Sequence, residues 1–118
     1  MKVRELEGEA LDWWVAKATG QKCLMADGEY LVDRLKDHGF FSRFGGPADY
    51  SSRWGAGGQI IEDRFIDLRY SSGAWIAECM SLTEFEGEEM RVFRATGRKP
   101  LVAAMRAYVM ACFGEEVE

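Results

Sequence analysis

One charged side chain, Arg106, interrupts an otherwise apolar and aromatic stretch that runs from Leu101 to Phe113. A buried guanidinium without a partner is very costly, so Arg106 must meet carboxylates, backbone carbonyls or a ligand. As a structural explanation we expect an ion pair with Asp12, Glu9 or Glu62. The functional alternative is an arginine that binds an anion at the base of a pocket.

A second candidate site is the segment from Tyr50 to Glu62, YSSRWGAGGQIIE, which combines aromatic side chains with glycines. Tyr50 and Trp54 offer flat surfaces that stack on rings or anchor partner proteins. Gly57 and Gly58 allow a ligand or another chain to approach the backbone closely. The glycine spacing does not fit a dinucleotide-binding fingerprint. The structural interpretation is a tight turn at the glycines, with Trp54 in the core and a short helix or extended segment after it.

Two basic residues, Arg98 and Lys99, stand just before the last apolar segment. If that segment is a helix, its free backbone N–H groups and these two cations could bind a phosphate. The alternative is a pair of solvated charges, since a misplaced charge at an exposed helix end costs only a few tenths of a kcal/mol.

The residue types used in catalysis and metal binding are sparse and badly spaced. Cys23, Cys79 and Cys112 form no CxxC pair, and His38 is the one histidine, which excludes the usual zinc spacings. Cys79 and Cys112 lie in apolar segments, as reduced core cysteines do. His38 has Ser42 nearby but no orienting acid. We therefore expect no catalytic residue, no metal and no cofactor.

Length and charge narrow the class of protein. A chain of 118 residues is typical of one domain, which we expect to span residues 1–118. The net charge of −5 argues against general nucleic-acid binding, which needs a basic face, and against binding to an anionic membrane. The amino-terminal sequence lacks the apolar run of a secretory signal, and no apolar run reaches membrane-spanning length. We expect a cytoplasmic protein.

The apolar stretch that holds Arg106 is predicted to be the central helix of the fold. A helix that is apolar all round is buried on most sides. Pro100 suits the first helical turn, and Gly114 suits the left-handed position beyond the end.

The remaining elements surround this helix. Residues 2–5 form a candidate short strand that offers Val3 and Leu6 to the core. A helix is predicted from about Gly8 to Thr19, ended by Gly20, and its apolar stripe comprises Ala10, Leu11, Trp14, Val15 and Ala18.

A three-stranded meander follows. Its strands are predicted at residues 66–70, 75–80 and 90–95, joined by a turn at 71–73 and an acidic turn at 86–89. In the first strand, Ile66, Leu68 and Tyr70 share one face. Residues 21–53 are unassigned, with a short helix at 30–36 and an aromatic loop at 40–50 as candidates.

Runs of strands bounded by helices indicate an α+β fold. We expect a small antiparallel sheet, with or without the amino-terminal strand, packed by an amino-terminal helix and the apolar carboxy-terminal helix.

Three segments support a family resemblance: ALDWWVAKATG (residues 10–20), YSSRWGAGGQIIE (50–62) and KPLVAAMRAYVMACFGEEVE (99–118). Together they resemble the signature blocks of the phage NinX-like proteins, small proteins of lambdoid phages and prophages whose molecular function is unknown. In that family a small residue often stands at the position of Trp14, and an uncharged residue at that of Lys99. The resemblance implies a phage or prophage origin, a role in the cytoplasm of the infected bacterium, and a genetic setting of DNA metabolism or host takeover. It supplies no catalytic residue.

Two functions of different classes are compatible with these patterns. The first is a non-enzymatic accessory protein that binds a host or phage protein and that could also form a homodimer, because its apolar and aromatic surface exceeds what a small sheet covers. The second is a module that binds a nucleotide or nucleic acid through Tyr50, Trp54, Arg98, Lys99 and Arg106, which the acidic net charge opposes.

Overall fold

A computed structural model of the protein describes residues 1–19, 48–80 and 91–117. Its elements, in chain order, are a 3-10 turn (Val3–Glu5), helix α1 (Gly8–Thr19), helix α2 (Trp54–Asp63), strands β1 (Asp67–Ser71), β2 (Ala74–Met80) and β3 (Val92–Gly97), and helix α3 (Pro100–Phe113). The candidate helix at 30–36, the turn at 86–89 and most of the candidate loop at 40–50 lie outside the described residues.

Helix α3 lies at the centre of the fold, as its composition predicts. It contacts β1, β2, β3, α1, α2 and the 3-10 turn, and nine of its residues are buried. Pro100 occupies the first turn, where its missing N–H needs no partner. Gly114 follows the helix with a φ of 92°, and its N–H donates to the Met110 carbonyl oxygen at 2.7 Å. The predicted bounds and termination signals of this helix are confirmed.

The three strands form an antiparallel meander in the order β1-β2-β3, which confirms the α+β fold. A two-residue turn joins β1 to β2, and Ser72 and Gly73 in it both have positive φ, at 52° and 84°. Such turns match the twist of the flanking strands. On the other face of the sheet from α3, Glu78 lies between Arg69 and Arg94, with N–O distances of 3.4 and 3.5 Å.

The strand bounds shift by one or two residues from those predicted, and one exposure differs. Ile66 precedes β1 and is buried, Leu68 is half-buried, but Tyr70 is 62% exposed. Tyr70 pairs with Trp75 at the hairpin end of the sheet, and their rings meet edge to face at 5.4 Å. Alternation in the sequence gives the face of a residue, whereas the extent of the covering helix decides its burial.

The prediction of a strand at residues 2–5 was wrong, because this segment coils into the 3-10 turn and joins no sheet. It pairs instead with the carboxy-terminal segment through a bridge between Lys2 and Glu116. The Val3 N–H donates to the Glu115 carbonyl oxygen at 2.9 Å. Val3 and Leu6 are buried in the core, as predicted.

Helix α1 has the predicted bounds but a different buried face. Leu11 and Val15 are buried as expected, and Trp14 and Ala18 are half-buried, whereas Ala10 is exposed. Asp12 and Ala16 are buried in addition. The reason for the buried Asp12 is a tertiary contact: its carboxylate accepts a hydrogen bond from the Ser51 N–H at 2.8 Å.

Candidate functional site

The glycine–aromatic segment forms a helix, and the prediction of a tight turn at Gly57-Gly58 was wrong. Helix α2 begins at Trp54 and includes all three glycines of the segment. Its buried face consists of Ala56, Gly57 and Ile60 and packs toward α3. The opposite face, with Trp54, Gly55, Gln59, Glu62 and Asp63, is exposed.

Gly57 lies where α2 packs against the preceding loop and against α3. A Cβ atom at position 57 would collide with the Tyr50 carbonyl oxygen and would stand 2.7 Å from Leu101 Cδ2. The missing side chain therefore lets α2 sit against the preceding loop and the first turn of α3. The cost of a glycine inside a helix, about 1 kcal/mol relative to alanine, is offset by this close packing.

The two aromatic candidates occupy opposite environments. Tyr50 is 2% exposed and belongs to the core, and its hydroxyl lies 3.5 Å from Thr19 Oγ1. Trp54 is 57% exposed, with its ring 3.5 Å from the Cβ position of Gly58 on the surface of the helix. The interpretation of Trp54 as a core residue was wrong, and Tyr50 is enclosed, which leaves Trp54 as the accessible ring.

The carboxyl end of α2 holds a residue that sequence reasoning did not single out. The Ile66 N–H donates to the Ile61 carbonyl oxygen at 3.0 Å, and the Phe65 N–H to that of Glu62 at 3.4 Å. These two bonds define a Schellman motif, whose left-handed position usually holds glycine. Phe65 occupies that position with a φ of 53° and is 91% exposed. The sequence signal for this unusual residue was that neither glycine nor asparagine follows Asp63 at the end of the helix.

The charges around Phe65 are predominantly acidic. Glu62, Asp63 and Asp67 are exposed, and none of them forms an ion pair with another described residue. Arg64 lies between them in sequence, but its guanidinium carbon is 6.0 Å from the centroid of the Tyr108 ring. Within residues 1–19, 48–80 and 91–117, these carboxylates have no ion-pair partner and stand close in sequence to an exposed aromatic ring.

Arg106 is half-buried on α3 and finds backbone carbonyls. Its Nε donates to the Leu6 carbonyl oxygen and one terminal nitrogen to that of Thr96, both at 2.8 Å. Burial lowers the pKa of Arg106 from its usual value, and the charge of Glu7 acts in the opposite direction. The predicted ion pair with Asp12, Glu9 or Glu62 was wrong for a geometric reason, since the guanidinium points to the edge of β3 and the turn before α1.

Arg98 and Lys99 are both exposed and lie at the amino end of α3. Lys99 is the capping residue, and its carbonyl oxygen accepts from the Ala103 N–H at 3.1 Å, while its side chain makes no capping bond. The candidate residues thus divide into three places: α2 with its preceding loop, the amino end of α3, and the half-buried position of Arg106.

Cys79 in β2 is buried, and Cys112 in α3 is half-buried. Burial is the main reason that the pKa of Cys79 and that of Cys112 are each raised to about 11. Burial also raises the pKa of Tyr108. A thiol becomes a nucleophile as its thiolate, so a raised pKa disfavours the reactive form of both cysteines near neutral pH.

The described parts of the chain hold neither a metal-binding cluster nor a membrane-spanning helix. No group of three or more His, Cys, Asp or Glu side chains in residues 1–19, 48–80 and 91–117 is arranged to hold a metal ion. None of the helices in these ranges has both the length and the apolar character that crossing a bilayer requires.

Comparison with known proteins identifies the family to which the chain belongs. A comparison with curated proteins gives no match. The protein-family model "Bacteriophage P22, NinX" matches residues 2–111. The matched range includes α1, α2, all three strands and most of α3, so it covers nearly the whole chain. The protein therefore belongs to the NinX family of phage proteins.

Proposed function

We propose that the protein is a non-enzymatic binding module that acts on a host or phage protein in the cytoplasm of the infected bacterium. The observation that carries this proposal is the exposure of large aromatic side chains. Trp54, Phe65 and Tyr70 are each more than half exposed, although the chain has a well-formed apolar core. Aromatic residues are enriched in the buried centres of protein interfaces and dominate their binding energy.

The chemistry of the described residues supports a binding role over catalysis. Cys79 is buried and Cys112 half-buried, and their raised pKa values favour the protonated thiols near neutral pH. The half-buried guanidinium of Arg106 already donates to two carbonyl groups, so it serves the packing of α3. A catalytic site needs a nucleophile or base in contact with an open cleft, and these groups do not meet that need.

The direct test is capture of interacting proteins with the full chain from phage-infected cells, followed by reconstitution with purified components. We expect a host or phage protein that forms a defined complex in size-exclusion chromatography. A homodimer is a second predicted assembly, and light scattering of the purified chain measures it. The proposal fails if no purified protein forms a complex with this chain.

The alternative function is binding of a nucleotide or nucleic acid. Exposed Arg98 and Lys99 at the amino end of α3 favour it, because free N–H groups and cations attract phosphate. The burial of Tyr50 and the engagement of Arg106 remove two of its five candidate contacts. A thermal-shift series with nucleotides and oligonucleotides separates the two functions.

A further inference from the structure

We propose that the exposed face of α2, together with the corner that follows it, docks a partner protein that presents an apolar pocket with a basic rim. This surface, here named the α2 surface, is defined by Trp54, Gly55, Gly58, Glu62 and Phe65. The inference rests on the proposed protein-binding function and locates it on the molecule.

Two aromatic rings mark the ends of the α2 surface. Trp54 is the first residue of α2, and Phe65 follows two residues after the helix ends. Ten residues of helix span roughly 15 Å, so both rings fit within one protein interface of ordinary size. Phe65 is almost completely exposed, which places it to enter a pocket of a partner. Rings that enter such pockets are the residues that dominate binding energy.

Several residues of the α2 surface do not suit the backbone conformation that they adopt, and no packing contact explains their presence. The buried face differs, because its glycine is needed for packing. Phe65 adopts a left-handed conformation that glycine adopts without steric cost. A Cβ atom at Gly55 would meet no atom within 4 Å, and one at Gly58 would meet only the Trp54 ring at ordinary contact distance. The fold therefore requires neither of these glycines, in contrast to Gly57. Their absent side chains leave a flat helix surface that another chain can approach closely.

Charge selects the kind of partner. Glu62 lies on the α2 surface, and Asp63 and Asp67 follow it within five residues of sequence, all exposed and without an ion pair among the described residues. Interfaces place opposite potentials against each other, and like charges placed together weaken binding. A basic rim therefore complements this surface, whereas a second copy of the chain docked face to face would bring its own carboxylates against these.

Photo-crosslinking tests the location and the partner together. The full chain is expressed during phage infection with p-benzoylphenylalanine in place of Phe65, and a matched chain carries it in place of Tyr70. Tyr70 is also exposed and aromatic but lies at the hairpin end of the sheet. We expect a crosslink from position 65 to a single protein, at an apolar pocket bordered by lysine or arginine.

Each other outcome is decisive. Crosslinks from position 65 to a second copy of this chain would overturn the proposal, as would a partner site with an acidic rim. A crosslink from position 70 alone would leave the protein-binding function standing and remove the α2 surface from it. No protein crosslinked from either position, combined with no complex in the reconstitution experiment, would reject the proposed function itself.

A stability-matched variant gives the quantitative test with the purified partner. Phe65→Gly removes the ring and relieves the left-handed backbone, so its thermal midpoint is expected to equal or exceed that of the unmodified chain. We expect its affinity to fall at least about tenfold, while Tyr70→Thr stays within about twofold. The affinity of the unmodified chain is also expected to fall as the salt concentration is raised. This fall is expected to be less steep for the double variant Glu62→Gln, Asp63→Asn. Equal affinity of Phe65→Gly and the unmodified chain would refute the docking surface.

Discussion

Two glycines in α2 differ in what surrounds them. Gly57 faces the Tyr50 carbonyl group and the Leu101 side chain, whereas an added methyl group at Gly55 would meet no neighbour within 4 Å. Both glycines lie in the same helix, so a comparison between them tests mainly their different tertiary contacts. The pair therefore separates a glycine that the fold needs from one that it does not need.

Gly57→Ala is expected to lower the free energy of unfolding by about 2 kcal/mol, because overpacking against backbone costs more than the gain in helix propensity. Gly55→Ala is expected to raise it by up to about 1 kcal/mol. Urea unfolding followed by circular dichroism measures both. Equal effects of the two substitutions would contradict the packing of α2 against the loop at Tyr50.

Asp12 is a buried carboxylate that fastens α1 to the loop before α2. Burial raises the pKa of Asp12 above its usual value, and the hydrogen bonds from Ser51 only partly oppose this effect. In the pH range between the unfolded and folded values, the folded state binds more protons than the unfolded state. Stability contributed by this group is therefore present at acid pH and is lost as pH rises through the raised pKa.

The pH dependence of Asp12→Asn tests this linkage. We expect the free energy of unfolding of the original chain, relative to that of Asp12→Asn, to decrease as pH rises from the usual aspartate pKa toward neutrality. Asparagine keeps an oxygen that can accept from the Ser51 N–H but carries no titrating charge. Urea unfolding in a series of buffers measures the difference. A difference that increases with pH would show that the folded state lowers the pKa of Asp12.

At the scale of elements, Arg106 joins three parts of the fold. It projects from α3 and donates to carbonyl groups at the edge of β3 and just before α1. An uncovered strand edge has unpaired backbone groups that can recruit other chains, and this side chain occupies part of that edge. Arg106 therefore holds the amino-terminal turn against the sheet through α3.

Arg106→Met is expected to lower the free energy of unfolding by roughly 2 kcal/mol, because two carbonyl groups lose charged donors while the apolar stem is kept. Arg98→Met, at an exposed position on the approach to α3, is expected to change it by less than about 0.5 kcal/mol. Hydrogen exchange should show faster exchange near Leu6 in the first variant only. Unchanged hydrogen exchange and stability in Arg106→Met would indicate that the guanidinium does not hold the amino-terminal turn against the sheet.

At the scale of the whole molecule, the net charge of −5 acts against polyanion binding. Basic side chains are present, but Arg69 and Arg94 are engaged by Glu78, and Arg53 by Asp49 at 3.3 Å. Binding to a phosphate backbone depends on cations that are free to replace its counterions. The acidic net charge of the full sequence therefore disfavours binding to a nucleic acid.

Duplex DNA, single-stranded oligonucleotides and nucleotides are expected to shift the thermal midpoint by less than about 1 °C, since a ligand that does not bind the folded state adds no stability. Differential scanning fluorimetry at low salt measures this under conditions that favour electrostatic binding. A rise of several degrees that disappears in Arg98→Ala with Lys99→Ala would instead support the phosphate-binding alternative.

Features that depend on neighbouring residues could be predicted from the amino-acid sequence. The apolar composition between Pro100 and Gly114 predicted the central helix and its bounds, and alternation with turn residues predicted the meander. Three segments, residues 10–20, 50–62 and 99–118, also indicated the family, which the match over residues 2–111 confirms. Periodicity and termination chemistry act over a few residues, so they can be read without a fold.

The exposure and the partners of individual side chains, in contrast, follow from the fold. Tyr50 and Trp54 are equally aromatic, yet the packing of Gly57 against the loop leaves one enclosed and the other exposed. The partners of Arg106 lie 100 and 10 positions away in the chain, a distance that no local pattern encodes. Phe65 became a candidate anchor through its backbone conformation and exposure. These properties arise because burial and hydrogen bonding depend on which distant segments meet.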